Sequence, residues 1–201
     1  MDNKKYNVGI YLFDDVEVLD FAGPFEVFAV TAELSDYQYF EVFTISESGQ
    51  QVKARNGLKV QPDYSFENHP AIDVLIVPGG MGTREVFKHQ KPLDWIAKTD
   101  TTTHITMSVC TGALLLAKLG LLNNQPATTH HTTFDFLRKV SPTTEVIEDQ
   151  RFVDNGHVMT AGGIAAGIDL SLHVVEKLFG KEAVAKTLTE MEYGDWRAAT
   201  V

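Results

Sequence analysis

Apolar and polar positions along this chain switch repeatedly between a strand-like alternation and a helix-like period. Tyr6 to Phe13 is an apolar, β-rich run, and Gly23-Pro24 then opens a helical pattern through Leu34, with Pro24 suited to a first turn. Tyr39 to Ile45 alternates as a strand does. Arg55-Asn56-Gly57-Leu58 sets Asn-Gly between two short β-prone stretches, a hairpin signal. Ile72 to Val77 is an unbroken apolar run ending at Pro78-Gly79-Gly80, and two short helices are expected near Thr83 to Lys88 and Pro92 to Lys98. His104 to Val109 predicts another strand and Thr111 to Leu122 an apolar helix. A helix from Thr133 to Val140 follows, with Thr132 as its expected N-cap. Val146 to Val153 and His157 to Ala161 flank Asp154-Asn155-Gly156, a second hairpin. An amphipathic helix from Ile164 to Phe179, stopped by Gly180, and a shorter one from Lys181 to Met191 close the pattern.

Strands alternating with helices, several of them apolar throughout, predict an α/β fold: a mostly parallel twisted sheet with helices on both faces. No repeat, low-complexity tract or linker interrupts it, so residues 1–201 are expected to form one domain. Such sheets bind ligands beyond the carboxyl ends of their strands. Three segments place reactive residues there: Leu19-Asp20, Pro78-Gly79-Gly80 and Cys110-Thr111.

Composition narrows the function classes. The chain is 44% apolar and 22% charged, the balance of an ordinary globular protein. A net charge of −10 argues against nucleic acid as a direct partner. No apolar stretch is long enough to span a bilayer, and no signal-peptide pattern precedes the first strand. A single cysteine can form no internal disulfide, and the seven histidines show no metal-binding helix motif. The expectation is a cytoplasmic protein acting on a small molecule, without membrane, metal or cofactor.

Cys110 falls where the chain must turn sharply from strand to helix, with small residues at 108, 111, 112 and 113. A nucleophile on such an elbow is exposed at the sheet edge on strained backbone. The adjacent helix N-terminus is expected to lower its thiol pKa. A lone cysteine also packs well as a small hydrophobe. Asp20 has apolar neighbours, so burial should raise its pKa and let it shuttle a proton for Cys110; the other reading is a helix cap. Gly79 and Gly80, with the N–H of Thr111, could form an oxyanion-type hole or simply a tight turn. His130 or His131 could orient a thiol or be a surface residue. Gly162-Gly163 with Gly167 does not fit a dinucleotide fingerprint.

Taken together, Leu19-Asp20-Phe21-Ala22-Gly23-Pro24, Asp73 to Gly80, Ser108-Val109-Cys110-Thr111-Gly112, Ala127-Thr128-Thr129-His130 and Gly162 to Asp169 resemble the ThiJ/PfpI superfamily of glutamine-amidotransferase-like proteins. Within it, Leu-Asp-x-x-Gly-Pro, Ser-Val-Cys-Thr-Gly and Ala-Thr-Thr-His are similar to the isocyanide (isonitrile) hydratase branch. The resemblance implies a flavodoxin-like sandwich with a nucleophile elbow and a homodimer. It makes Cys110 the nucleophile, Asp20 its acid/base partner and Thr111 the source of a hydroxyl and an N–H beside the sulfur. Gly79, Gly80, His130 and Ile164 would frame the substrate.

Departures from other branches bear on chemistry. Thr111 stands where the protease and amidotransferase branches carry histidine, which weakens a hydrolytic triad. Asp20 stands where the glyoxalase- or deglycase-linked branch carries Glu. Related transcriptional regulators continue into a helix-turn-helix segment, which this sequence is not expected to carry. The expected activity is cysteine-dependent hydration of isocyanides to N-substituted formamides, a lyase reaction. The alternatives are a ligand or redox sensor without turnover, and a glyoxalase- or deglycase-like enzyme acting on small carbonyl compounds.

Overall fold

Val74–Val77 and Ile105–Val109 are buried at every position, as strands covered on both faces must be. In the computed structural model, which describes residues 4–199, they are the central strands β6 and β7. The other strands are β1 (Tyr6–Tyr11), β2 (Phe40–Ser46), β3 (Val52–Lys53), β4 (Lys59–Val60), β5 (Tyr64–Ser65), β8 (Pro126–Ala127), β9 (Glu145–Val146), β10 (Phe152–Asp154) and β11 (Val158–Ala161). Among the described residues, seven of them form one sheet in the order β10-β11-β7-β6-β1-β2-β5. Every neighbouring pair is parallel except β10–β11. The fold is the mostly parallel α/β sandwich that the alternation predicts.

Both hairpins form. β3 and β4 pair antiparallel across a turn with Asn56 at φ 61°, and β10 and β11 pair across Asn155-Gly156. The helices are α1 (Val18–Leu34), α2 (Thr83–Val86), α3 (Gln90–Asp100), α4 (Ala113–Lys118), α5 (Phe134–Val140), α6 (Ala166–Phe179) and α7 (Lys181–Glu190). α1, α6 and α7 pack on one another as one layer, while α2 packs with α3 and α4, and α4 with α5, in another. Between layers and sheet, Ile10, Leu75, Ile76, Ile105, Met107 and Leu115 are fully buried. Each such side chain contributes roughly 1.5–3 kcal/mol to folding.

Several boundaries differ from expectation. α1 starts at Val18 rather than Gly23, so Pro24 lies inside the helix. The buried stripe Asp20, Phe21, Pro24, Val27, Phe28, Thr31 explains this: its helical spacing begins before the proline. The helix after Cys110 is shorter than predicted, a 3-10 turn at Cys110–Gly112 followed by α4. Thr132 does not cap α5; a 3-10 turn at His131–Thr133 intervenes, and the His130 side chain accepts from the Thr132 N–H. The stretch 146–153 is divided between β9, which pairs with β8, and β10.

Candidate active site

Strand order explains why residues far apart in sequence meet. β1, β6, β7 and β11 are consecutive neighbours in the sheet. Their carboxyl ends lead into Asp14 to Asp20, Pro78 to Gly80, Cys110, and Gly162 to Ile164 respectively. β1 also sits where the chain reverses its direction of travel across the sheet, the place at which parallel sheets open a crevice.

Cys110 takes φ 57°, a left-handed conformation that is strained for a residue with a side chain. Its N–H donates to Gly162 O at 2.9 Å, and Thr129 Oγ1 donates to its carbonyl at 2.8 Å, so both ends of the elbow are pinned. Ile164, at φ 50°, carries the same strain on a β-branched residue. The backbone N–H groups of Thr111 and Ile164 point at the Cys110 sulfur. These donors favour a thiolate, but the expected lowering of the thiol pKa does not occur. Burial, reinforced by the charge of Asp20, pushes the thiol up to about 12. The helix beyond the elbow has only six residues and cannot offset that.

Asp20 is wholly buried in the first turn of α1 and does not cap it. Its Oδ2 accepts the Gly79 N–H at 3.0 Å. Its Oδ1 has no hydrogen-bond partner among the described residues, although the Cys110 thiol is close enough to interact with the carboxyl. Burial raises this carboxyl to about 7, opposed by the Gly79 N–H and the thiol and reinforced by the charge of Glu17. The site therefore holds a protonated thiol beside a carboxyl that is about half ionised near neutral pH.

The oxyanion-type hole expected from the glycines is not there. Gly79 spends its N–H on Asp20, and Gly80 donates to Thr111 Oγ1 at 2.9 Å. Thr111 Oγ1 also contacts Gly80 O and Thr83 Oγ1, at 3.2 and 3.0 Å, so its hydroxyl is tied to the β6 turn rather than to the sulfur. What the glycines supply is closeness. A Cβ on Gly79 would meet Thr111 N at 2.5 Å and Asp20 Oδ2 at 3.0 Å, and Gly80 takes φ 127°, where side chains are strained.

His130 lies at the margin of the site. Its ring covers Gly163, where a Cβ would meet His130 Cδ2 at 2.5 Å, and so flanks the loop that presents Ile164. Its Nδ1 lies 2.8 Å from Thr132 Oγ1 and 3.3 Å from Thr132 N, so the ring is held against the start of the following 3-10 turn. Burial and the neighbouring His131 lower its pKa, against the charge of Glu17.

Glu17 and Arg55 are the residues that sequence reasoning missed. Arg55 Nε meets Glu17 Oε2 at 3.3 Å, and the Arg55 N–H donates to Val16 O at 2.9 Å. The β3–β4 hairpin is thus docked beside Asp20. Asn56-Gly57 marks the hairpin in the sequence, but no local pattern says where it docks. Among the described residues, no group of three or more His, Cys, Asp or Glu side chains is placed to hold a metal ion. None of the described helices is long and apolar enough to cross a membrane.

The DJ-1/PfpI family profile matches residues 6–177, most of the chain. The protein belongs to this family. It is 35% identical over 187 residues to isonitrile hydratase of Pseudomonas putida, a match covering 92% of this chain and 78% of that protein. It is 27% identical over 197 residues to the HTH-type transcriptional regulator GbdR of Pseudomonas aeruginosa, covering 92% of this chain but half of the regulator. The crystal structure of a ThiJ/PfpI family protein from Pseudomonas syringae superposes with a TM-score of 0.84 at 25% identity, covering 94% of this chain and 76% of that one. The family is thus settled, while its members' named roles include both catalysis and regulation.

Proposed function

We propose that this DJ-1/PfpI family member is a cysteine-dependent isocyanide hydratase, working as a homodimer, that converts R–N≡C and water to R–NH–CHO. The observation that carries the reading is the buried Asp20 carboxyl, one oxygen unpartnered, against the Cys110 thiol on its strained elbow. Threonine rather than histidine at 111 supports a carboxyl as the proton carrier. The match to isonitrile hydratase, which covers most of both chains, supports the same chemistry.

With the thiol protonated at rest, Asp20 acts first as a base. It accepts the thiol proton as sulfur bonds to the terminal isocyanide carbon, then returns that proton to the same carbon, giving R–N=CH–S–Cys110. Water adds to the C=N carbon with Asp20 again moving the proton, and nitrogen is protonated. The C–S bond then breaks, releasing R–NH–CHO and regenerating the thiol. The Thr111 and Ile164 N–H groups steady the sulfur as charge develops on it and again as it leaves.

The test is formamide production from a panel of small isocyanides, followed by the formyl proton in NMR spectra. Cys110→Ala should lower turnover by about 10⁴-fold or more while leaving the melting temperature within a few degrees. Undiminished activity in that variant would remove Cys110 as nucleophile.

The half-length match to a transcriptional regulator favours a second reading, a ligand-binding domain without turnover. Tight binding of a small molecule with no product from any isocyanide supports that reading. Methylglyoxal assayed on the same preparation separates the carbonyl-directed alternative.

A further inference from the structure

A cleft of about 500 Å³ opens on the α2–α5 side of the elbow. Its walls are Phe87, Leu114 and Phe136, with the hydroxyls of Thr83 and Thr111 between them. The Phe87 and Phe136 rings are 5.9 Å apart, and Phe136 remains 46% exposed. Cys110 itself does not line the cleft, but Thr111, the next residue on the elbow, forms part of its wall. Its volume suits a small organic molecule.

The rim carries charge opposite to that of the molecule as a whole. The chain has a net charge of −10, yet Arg84 and Lys88 both border this cleft. Lys88 is paired with Glu85 at 2.8 Å. Arg84 is different. Arg55, Arg138 and Arg151 each meet a carboxylate, whereas the Arg84 guanidinium, among the described residues, donates to Met81 Sδ at 3.0 Å and meets no carboxylate. An arginine without an acid partner, above an apolar cleft in an acidic protein, presents a planar fork that fits a carboxylate.

We infer that this cleft is a substrate-tail subsite, and that the preferred substrates are isocyanides whose R group has an aromatic or branched aliphatic body and a carboxylate. The body lies between Phe87, Leu114 and Phe136, the carboxylate meets Arg84, and the isocyanide carbon reaches Cys110 past Thr111. This assignment rests on the hydratase reading for its chemistry, but not for its binding.

The experiment has two arms. In the first, N-formylphenylalanine, which has the chemistry of the expected product, is titrated calorimetrically into wild type, Arg84→Ala, Arg84→Lys and Phe136→Ala. Both alanine variants should raise Kd tenfold or more, and Arg84→Lys should recover part of the loss. In the second, kcat/KM is compared for an aromatic isocyanide with and without a carboxylate; Arg84→Ala should cut the preference for the anion at least tenfold, through KM rather than kcat. Both substituted side chains are exposed or half-exposed, so the variants are expected to fold. Binding that depends on Arg84 without turnover of any isocyanide keeps the cleft and removes the hydratase reading. Turnover whose anion preference is unchanged in Arg84→Ala, or product binding indifferent to Arg84, overturns the cleft and leaves the hydratase reading standing.

Discussion

Asp20 lies at the carboxyl edge of the sheet and Asp154 at the start of the β10–β11 turn, and the fold treats the two carboxyls in opposite ways. Asp20 is wholly buried, receives one backbone N–H and keeps one oxygen unpartnered. Asp154 accepts from the Gly156 N–H at 2.6 Å, from His173 Nε2 at 2.8 Å and from Lys177 Nζ at 2.9 Å, tying the hairpin to α6. Burial acts to raise both. At Asp154 the bonds from His173, Lys177 and Gly156 outweigh it and hold the carboxyl below its ordinary range. At Asp20 nothing outweighs it, and the carboxyl rises to about 7. A side chain satisfied on every side is a strut. One left short of partners beside a thiol is held ready to take a proton, at a cost in stability.

The largest expected effect comes from abolishing that readiness. Asp20→Asn should lower turnover by about 10²–10⁴-fold, because its amide can still accept from Gly79 but cannot carry the proton. The same variant should change how stability depends on pH. An aspartate titrates near 3.9 in an unfolded chain, so between about pH 4 and about pH 7 the folded protein holds a proton on Asp20 that the unfolded chain has lost. Stability therefore falls as pH rises through this window, by on the order of 4 kcal/mol in total. Urea unfolding at about pH 5 and about pH 8 measures the change. The loss between these two pH values should be about 2–3 kcal/mol smaller in Asp20→Asn, and an equal loss in both proteins would show that Asp20 does not titrate high.

How far this was legible in the sequence follows from which interactions are local. Periodicity finds every major strand, and Asn56-Gly57 and Asn155-Gly156 find both hairpins, because turn chemistry acts over a few residues. Cys110, Asp20 and the Pro78-Gly79-Gly80 turn were legible as a group because parallel sheets collect such segments at one edge. What each backbone N–H does there was not. Gly79 bonding to Asp20 and Gly80 bonding to Thr111 depend on the registers β1–β6 and β6–β7, which no local pattern encodes. The thiol pKa is not legible either, for a related reason: an elbow signals a helix N-terminus, but the depth of burial that pushes the thiol up emerges only once the layers have packed. Arg55 beside Glu17 is a contact between a hairpin and a loop, visible only in three dimensions.

At Asp154 the expected effect is smaller and opposite in sign. Asp154→Asn removes a partly exposed ion pair with Lys177 and weakens the hydrogen bond with His173, so it should cost about 1 kcal/mol near neutral pH while turnover stays within twofold of wild type. Because the folded pKa lies below the unfolded one, the contribution of Asp154 is complete above about pH 4 and is lost as pH falls through the folded value. Unfolding curves for the two proteins should therefore converge on acidification. Divergence at low pH would mean that Asp154 is not the satisfied partner described above.

The smallest effects test whether Asp20 can be moved toward the behaviour of Asp154 without being touched. Glu17 raises the Asp20 carboxyl, and Arg55 partly neutralises Glu17 from the hairpin. Glu17→Gln should therefore lower the pH at which Asp20 ionises, and Arg55→Ala should raise it, each by some tenths of a pH unit, since the pair is partly solvated. Cys110 is the single thiol in the chain, so its rate of alkylation by iodoacetamide reports the site directly, whatever the substrate. Asp20 in its ionised form is the local base for that thiol, and the alkylation rate should climb as Asp20 deprotonates. The midpoint of that climb should shift down in Glu17→Gln and up in Arg55→Ala. Shifts of the same sign in both variants would show that the pair acts by holding the hairpin in place and not through its charges.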